Sequence, residues 1–150
     1  QDFELVLVGT GVDFEQDIAY AQTLDFPKDM LTFTGEQTPH EVAQWMQQSD
    51  CFLFFSRYEN APVVLSECLA VGLPIISSNA GGIPEMINHE CGILVPSEDE
   101  DALAKALLHM LDRTTIYDIA TIRSYGKQYT YASIGRQLSE LSQGLIVSSH

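Results

Sequence analysis

The sequence predicts an α/β protein: a parallel sheet with helices packed on both of its faces. Two observations carry this prediction. Short apolar runs alternate along the chain with amphipathic helical patterns, and strand–helix alternation builds parallel sheets through right-handed crossovers. The run Cys51–Phe55 is also apolar at every position. A strand covered on both sides needs that pattern, whereas a half-exposed strand would alternate.

Taken in order, Leu5–Val8 reads as a strand and Phe14–Leu24 as a helix. Leu31–Thr34 is a second strand ended by Gly35, and Pro39–Gln48 a helix with Thr38 as its cap. Cys51–Phe55 is placed centrally in the sheet. Pro62–Val71 is a helix opened by proline and stopped by Gly72. It is apolar nearly all round, which predicts a buried helix whose single charge is Glu67. Pro74–Ser77, Ile83–Asn88 and Ile93–Val95 read as strand, short helix and strand. From Glu98 onward the pattern is helical, over Asp101–Leu111, Thr115–Tyr129 and Ser133–Gly144. One domain is expected over 1–145, with 146–150 as a frayed tail.

The hydrophobic fraction of 45% in 150 residues supports a folded core rather than disorder. No apolar run approaches the roughly 20 residues of a membrane-spanning helix. A formal net charge of −14 excludes non-specific attraction to nucleic acid or to an anionic membrane, since both would be repelled at long range. Cys51, Cys68 and Cys91 lie in apolar surroundings without a Cys-x-x-Cys pair, so reduced buried thiols in a cytoplasmic protein are expected. The chain opens at Gln1 without a methionine and enters a strand almost at once, which reads as a piece of something longer.

Ligands of parallel sheets bind at the carboxyl ends of the strands, where the unusual residues of this chain gather. Cys51–Phe55 delivers Ser56-Arg57-Tyr58-Glu59-Asn60-Ala61, and a helix begins at Pro62. The free N–H groups and positive dipole end of that helix can hold a diphosphate without a basic side chain. Glu67 follows about 7 Å along the axis, where a carboxylate could accept both hydroxyls of a ribose. Glu59 faces the same cleft and could accept from a sugar hydroxyl. Taken singly, each glutamate reads as a solvated charge; together, straddling the start of one helix, they favour a site. The next strand leads into Asn79-Ala80-Gly81-Gly82-Ile83-Pro84-Glu85, whose paired glycines permit close backbone approach. Glu85 itself is explained by its place in a first helical turn.

Other signals are set aside. Gly9-Thr10-Gly11 lacks the third glycine of a dinucleotide fingerprint, because Phe14 stands there. Asp99-Glu100-Asp101 spells a metal-binding D-x-D, but it opens a helix and reads as capping. His40, His89, His109 and His150 show no ligand spacing, so no metal is expected. Tyr117, Tyr125, Tyr129 and Tyr131 read as helix packing or as contacts to another domain.

The segments Ser56–Pro62, Ser66-Glu67-Cys68-Leu69-Ala70-Val71-Gly72-Leu73-Pro74 and Gly81-Gly82-Ile83-Pro84-Glu85 resemble the C-terminal domain of retaining glycosyltransferases of family four, the glycosyl transferases group one. They match its two glutamates separated by seven residues, its A-x-G-x-P turn and its Gly-Gly-x-x-Glu loop, in order. Weaker matches at Val8–Gly11, Phe33–Gly35 and Cys91–Pro96 extend the likeness over essentially the whole chain. The resemblance implies a Rossmann-like sheet, the C-terminal half of a GT-B fold. It implies that Glu67 binds the donor ribose and that Glu59 acts catalytically on the transferred sugar. Backbone groups of Asn60, Ala61, Pro62, Val63 and Val64 would hold the diphosphate, with Gly81 and Gly82 beside them and Glu36 and Gln37 near the base. A hexose-type sugar would move from a UDP-, GDP- or ADP-sugar to a glycan or lipid-linked acceptor, with retention and no metal or other cofactor.

The family also carries an Arg–Lys pair and an N-terminal acceptor-binding domain, neither of which this sequence contains. The chain alone is therefore expected to bind donor weakly and turn nothing over. Arg57 is a poor replacement, since it could pair with the neighbouring Glu59. In the family the last helices cross back to the missing domain, so Leu138, Leu141 and Leu145 are expected to be uncovered. The full-length enzyme is left open to peripheral membrane association. A nucleotide-sugar epimerase of the same fold and a non-catalytic nucleotide-sugar-binding module stand as alternatives.

Overall fold

The computed structural model describes residues 3–27, 30–112 and 115–147, with only the backbone given for 144–147. The chain divides into two compact units, Gln1–Gln48 and Ser49–His150.

In the first unit, strands β1 (Leu5–Val8) and β2 (Leu31–Gly35) pair in parallel, Leu5 opposite Leu31 and Leu7 opposite Phe33. Helix α1 (Phe14–Thr23) lies between them in sequence, and Phe14 meets Phe33 edge to face at 5.9 Å. Helix α2 (Pro39–Gln48) opens with a reciprocal cap. The Thr38 N–H and hydroxyl donate to Glu41 Oε2 at 2.8 and 2.6 Å, and the Glu41 N–H points back to Thr38 Oγ1 at 3.4 Å. This satisfies helix-start groups that have no partner within the helix, and the Thr38 hydroxyl holds the Glu41 carboxyl below its usual range.

The second unit holds β3 (Phe52–Phe54), β4 (Ile75–Ser78) and β5 (Gly92–Val95), all parallel, with β4 in the middle. Its helices are α3 (Val63–Val71), the single turn α4 (Ile83–Met86), α5 (Glu100–Leu111), α6 (Ile119–Gly126) and α7 (Tyr131–Val147), with a 3-10 turn at Lys127–Tyr129. The two-residue period of a strand sends Leu53, Ile76 and Val95 to one face, where they pack with Ala102, Leu103, Ala106, Leu107 and Met110 of α5. Ile75 and Ser77, which point the other way, are also fully buried. Both faces of this sheet are therefore covered, and the parallel α/β architecture stands as expected.

Boundaries shifted where side-chain chemistry alone had set them. β3 is an end strand of its sheet, although Cys51–Phe55 was expected at the centre. Apolar residues on both faces show that both faces are covered, and they do not count the flanking strands. The expected helix Thr115–Tyr129 begins at Ile119, because Asp118 accepts from Thr121 N at 2.9 Å and caps it there. α7 runs to Val147, past the expected domain end at 145; residues 148–150 lie outside the described set.

α3 and α6 meet at main-chain distance. A β-carbon on Gly126 would fall 3.0 Å from the Leu69 carbonyl carbon, and one on Gly72 would fall 3.0 Å from the Ile119 carbonyl oxygen. Gly72 also closes α3, its N–H and that of Leu73 returning to Leu69 and Cys68 carbonyls. Arg123 Nε donates to the Val71 carbonyl at 3.1 Å, so α6 supplies a further partner for the end of α3.

The thiols behave as expected of buried cysteines. Cys68 and Cys91 are fully buried and Cys51 partly so, all three free. Burial pushes the Cys51 thiol up to about 12 and that of Cys68 further up. Tyr125 and Tyr129 pack edge to face at 6.3 Å, and the Tyr129 hydroxyl donates to the Glu85 carbonyl, while Tyr131 is fully exposed. Leu138 and Leu141 are exposed; the Leu145 side chain lies outside the described residues. No described helix is long and apolar enough to cross a membrane.

Candidate functional site

The carboxyl end of β3 runs into the loop that carries Glu59, and β4 determines how that loop leaves the sheet. The β3–β4 ladder ends with Phe54 opposite Ser77. Beyond it, a side chain takes over from the backbone. The buried Ser78 hydroxyl accepts from the Ser56 N–H at 3.0 Å and donates to the Ser56 carbonyl. Ser77 Oγ sits 2.9 Å from the Phe54 carbonyl. Two hydroxyls thus serve backbone groups of Phe54 and Ser56 at the half-buried end of the ladder.

From that anchor the loop is held at three further places. The Ser56 hydroxyl donates to Glu59 Oε1 at 3.0 Å. Arg57 pairs with Glu98 Oε1 at 3.0 Å, not with Glu59. The pairing with Glu59 that the sequence left open is not the one made: Glu98, at φ 62 in the turn after β5, reaches the guanidinium. Both side chains of this pair are largely exposed, so it contributes little. Gly81 and Gly82 press against the loop backbone, where added β-carbons would lie 1.7 Å from the Glu59 carbonyl oxygen and 2.1 Å from that of Asn60. The close approach foreseen for these glycines is made here to the Glu59 loop itself. Asn79 completes the frame: its N–H donates to the Val95 carbonyl, and its Oδ1 accepts from the Ser97 N–H.

α3 opens from Pro62 with no side-chain cap, so no side chain occupies its first-turn donors. Val63, Glu67 and Ala70 are exposed, while Leu65, Cys68 and Leu69 are fully buried. The expectation of a buried helix is therefore corrected. Positions i, i+4 and i+7 share one face, and two of the three carry apolar residues that disguise an open stripe as part of the core. Val63 is 69% exposed, an unusual place for an apolar side chain in the first turn of a site helix. Asn60 and Ala61 are exposed next to it, while Pro62 and Val64 are half-buried. Glu59 is half-buried and Glu67 stands on the open stripe. The structure thus groups Glu59, Asn60, Ala61, Pro62, Val63, Val64, Glu67, Gly81 and Gly82 around one loop–helix junction. Gln37 belongs to the first unit, where its side-chain amide donates to the Thr34 and Glu36 carbonyls.

Asp99 is a helix cap: its Oδ1 accepts from the Ala102 N–H at 2.9 Å at the start of α5. His40 faces Gln44 at 3.3 Å and His109 faces Thr115 at 2.7 Å. Among the described residues, no group of three or more His, Cys, Asp and Glu side chains could hold a metal ion. Sequence reasoning overlooked Ser56, Ser77 and Ser78 as functional parts. The signal was two serines in succession at the end of an otherwise apolar strand.

A parallel sheet covered by helices, with the Glu59 loop and an uncapped helix start at its carboxyl edge, is a Rossmann-like α/β architecture, and ligands of such sheets bind at that edge. The family described as glycosyl transferases group 1 matches residues 1–113. The amylovoran biosynthesis glycosyltransferase AmsK of Erwinia amylovora is 36% identical over 115 residues, which cover 72% of this chain and 28% of AmsK. A GDP-mannose-dependent alpha-mannosyltransferase of Mycobacterium tuberculosis is 33% identical over 122 residues, 80% of this chain and 30% of the relative. The crystal structure of Anabaena HepE in complex with UDP is similar in fold, with a TM-score of 0.80 at 21% identity, over 95% of this chain and 41% of HepE. The chain belongs to the group 1 glycosyltransferase family, and its fold is that of a GT-B glycosyltransferase domain. It spans less than a third of the length of either curated relative.

Proposed function

We propose that this chain is the donor side of a retaining glycosyltransferase that moves a hexose-type sugar from a nucleoside diphosphate to a glycan or lipid-linked acceptor. The observation that carries this reading is the open stripe of α3. It runs from an uncapped helix start to a lone carboxylate at Glu67, with Glu59 on the adjoining loop. In this reading the diphosphate lies on the backbone of Asn60–Val64. The N–H groups there take up negative charge as the bond to the sugar breaks. Glu67 accepts from the ribose hydroxyls and Glu59 from a hydroxyl of the transferred sugar. The reaction uses no metal and no cofactor besides the donor, and it takes place in the cytoplasm. Acceptor binding belongs to the remainder of the protein, so the chain alone binds donor without transferring it.

HepE was solved with UDP, and the mycobacterial relative is named for GDP-mannose, so the base is a question for titration. Calorimetry with UDP-, GDP- and ADP-sugars is expected to find one class that binds. Glu67→Ala should weaken that class by about 1–3 kcal/mol, the cost of leaving ribose hydroxyls unmatched. No binding by any of the three to the folded chain would overturn the proposal. An unchanged affinity of Glu67→Ala would remove Glu67 from the site.

A further inference from the structure

We propose that Ser56 is the positioning residue of the Glu59 carboxylate and that Ser78 in turn fixes Ser56, so that Glu59 offers a ligand one chosen oxygen. The inference rests on the donor-binding reading and adds to it the parts that aim its loop carboxylate. Glu59 follows β3 by five residues, too far for the sheet to set its orientation. A glutamate in such a loop has three side-chain torsions to fix before its oxygens face any one direction, and ordering them at the moment of binding weakens the complex.

The structure fixes them beforehand through a short relay. Ser78 is fully buried on the middle strand of its sheet, and its hydroxyl engages both backbone polar groups of Ser56, acting as an added rung beyond the end of the ladder. With its backbone pinned, Ser56 turns its hydroxyl to Glu59 Oε1 at 3.0 Å. A hydroxyl donating to a carboxylate is a charge-assisted bond, stronger than a neutral one. Gly81 and Gly82 close the other side by pressing on the Glu59 and Asn60 carbonyls. Oε1 is thereby engaged, and Oε2 remains to accept from a sugar hydroxyl.

The test uses pairs of probes that differ only in the sugar: UDP-glucose against UDP, and GDP-mannose against GDP. Ser56→Ala leaves the backbone bonds to Ser78 in place and removes only the hydroxyl. It should weaken the sugar nucleotide about tenfold and leave the bare nucleotide unchanged. Ser56→Thr, which restores a hydroxyl, should recover most of the loss, and Glu59→Gln should weaken the same probe. If Glu59→Gln weakens the sugar nucleotide and Ser56→Ala does not, the relay is wrong and the donor reading stands. Equal losses for Ser56→Ala and Ser56→Thr, or an equal loss of bare nucleotide, would show that Ser56 acts only on loop shape, and would overturn the inference. If neither pair binds and ADP-glucose does not bind either, the donor reading falls and takes the inference with it.

Discussion

Replacing Gly81 with alanine separates a steric effect from a conformational one, because its neighbour Gly82 meets only one of the two. Gly82 has φ −85, which any residue adopts, and an added β-carbon there would sit 2.1 Å from the Asn60 carbonyl oxygen. Gly81 has φ +53, and its β-carbon would sit 1.7 Å from the Glu59 carbonyl oxygen. Both approaches are to main chain, so the Glu59 loop must retreat by about 1.3 Å for Gly81→Ala and about 0.9 Å for Gly82→Ala to reach even 3.0 Å. Overpacking of this kind costs about 1–3 kcal/mol. The left-handed conformation adds about 1–2 kcal/mol for a residue with a β-carbon. Gly82→Ala should therefore lose about 2 kcal/mol of stability and Gly81→Ala about 3–4 kcal/mol, by the same sums. Gly135, in α7 with nothing within 4 Å of an added β-carbon, is the control. Its alanine variant should gain up to about 1 kcal/mol from helix propensity. Urea unfolding followed by far-ultraviolet circular dichroism reads all three. Reasoning from loop contact would be refuted if Gly81→Ala and Gly82→Ala unfolded at the same urea concentration as the parent chain.

Three further outcomes follow from the caps and the thiols. Asp99→Ala removes the acceptor of the Ala102 N–H at the start of α5 and should cost about 1 kcal/mol in the same unfolding assay, while Asp99→Asn should cost less. For Cys51, the folded pKa of about 12 lies above the ordinary value of 9.0, so the unfolded chain loses its proton first. The contribution of Cys51 should be level below about pH 9, and stability should fall as pH rises from there toward about pH 12, a slope that Cys51→Ser should reduce. Ellman's reagent should react slowly with the native chain and with all three thiols once urea is added; rapid native labelling would contradict their burial.

The alternation of apolar runs and helical patterns was enough to place every strand and helix, because each run is short and ends in glycine, proline or a polar cap. The Glu59 loop, the α3 start and the paired glycines were legible for the same reason: their residue types are odd for their positions. The exposure of α3 was not, since Val63 and Ala70 look like core until the fold shows which way they face. Nor was the partner of Arg57, because Glu98 is distant in sequence and reaches it through a left-handed residue. The serine rung was hidden because hydroxyls at a strand end look like ordinary turn formers. Their function depends on register, with Phe54 opposite Ser77, which no local pattern reveals.

Gly72 and Gly126 let α3 and α6 close along their seam until their main chains come within reach of an added β-carbon, the Ile119 carbonyl oxygen on one side and the Leu69 carbonyl carbon on the other. The Ile119 side chain already fills the space beside Gly72, and the Leu69 β-carbon that beside Gly126, so a side chain added at either glycine would push the two helices apart. Over long sequence drift the seam therefore acts as a fixed gauge. The open side of α3 can change its residues freely while the helix behind them stays at the same depth, so selectivity and placement are free to evolve separately.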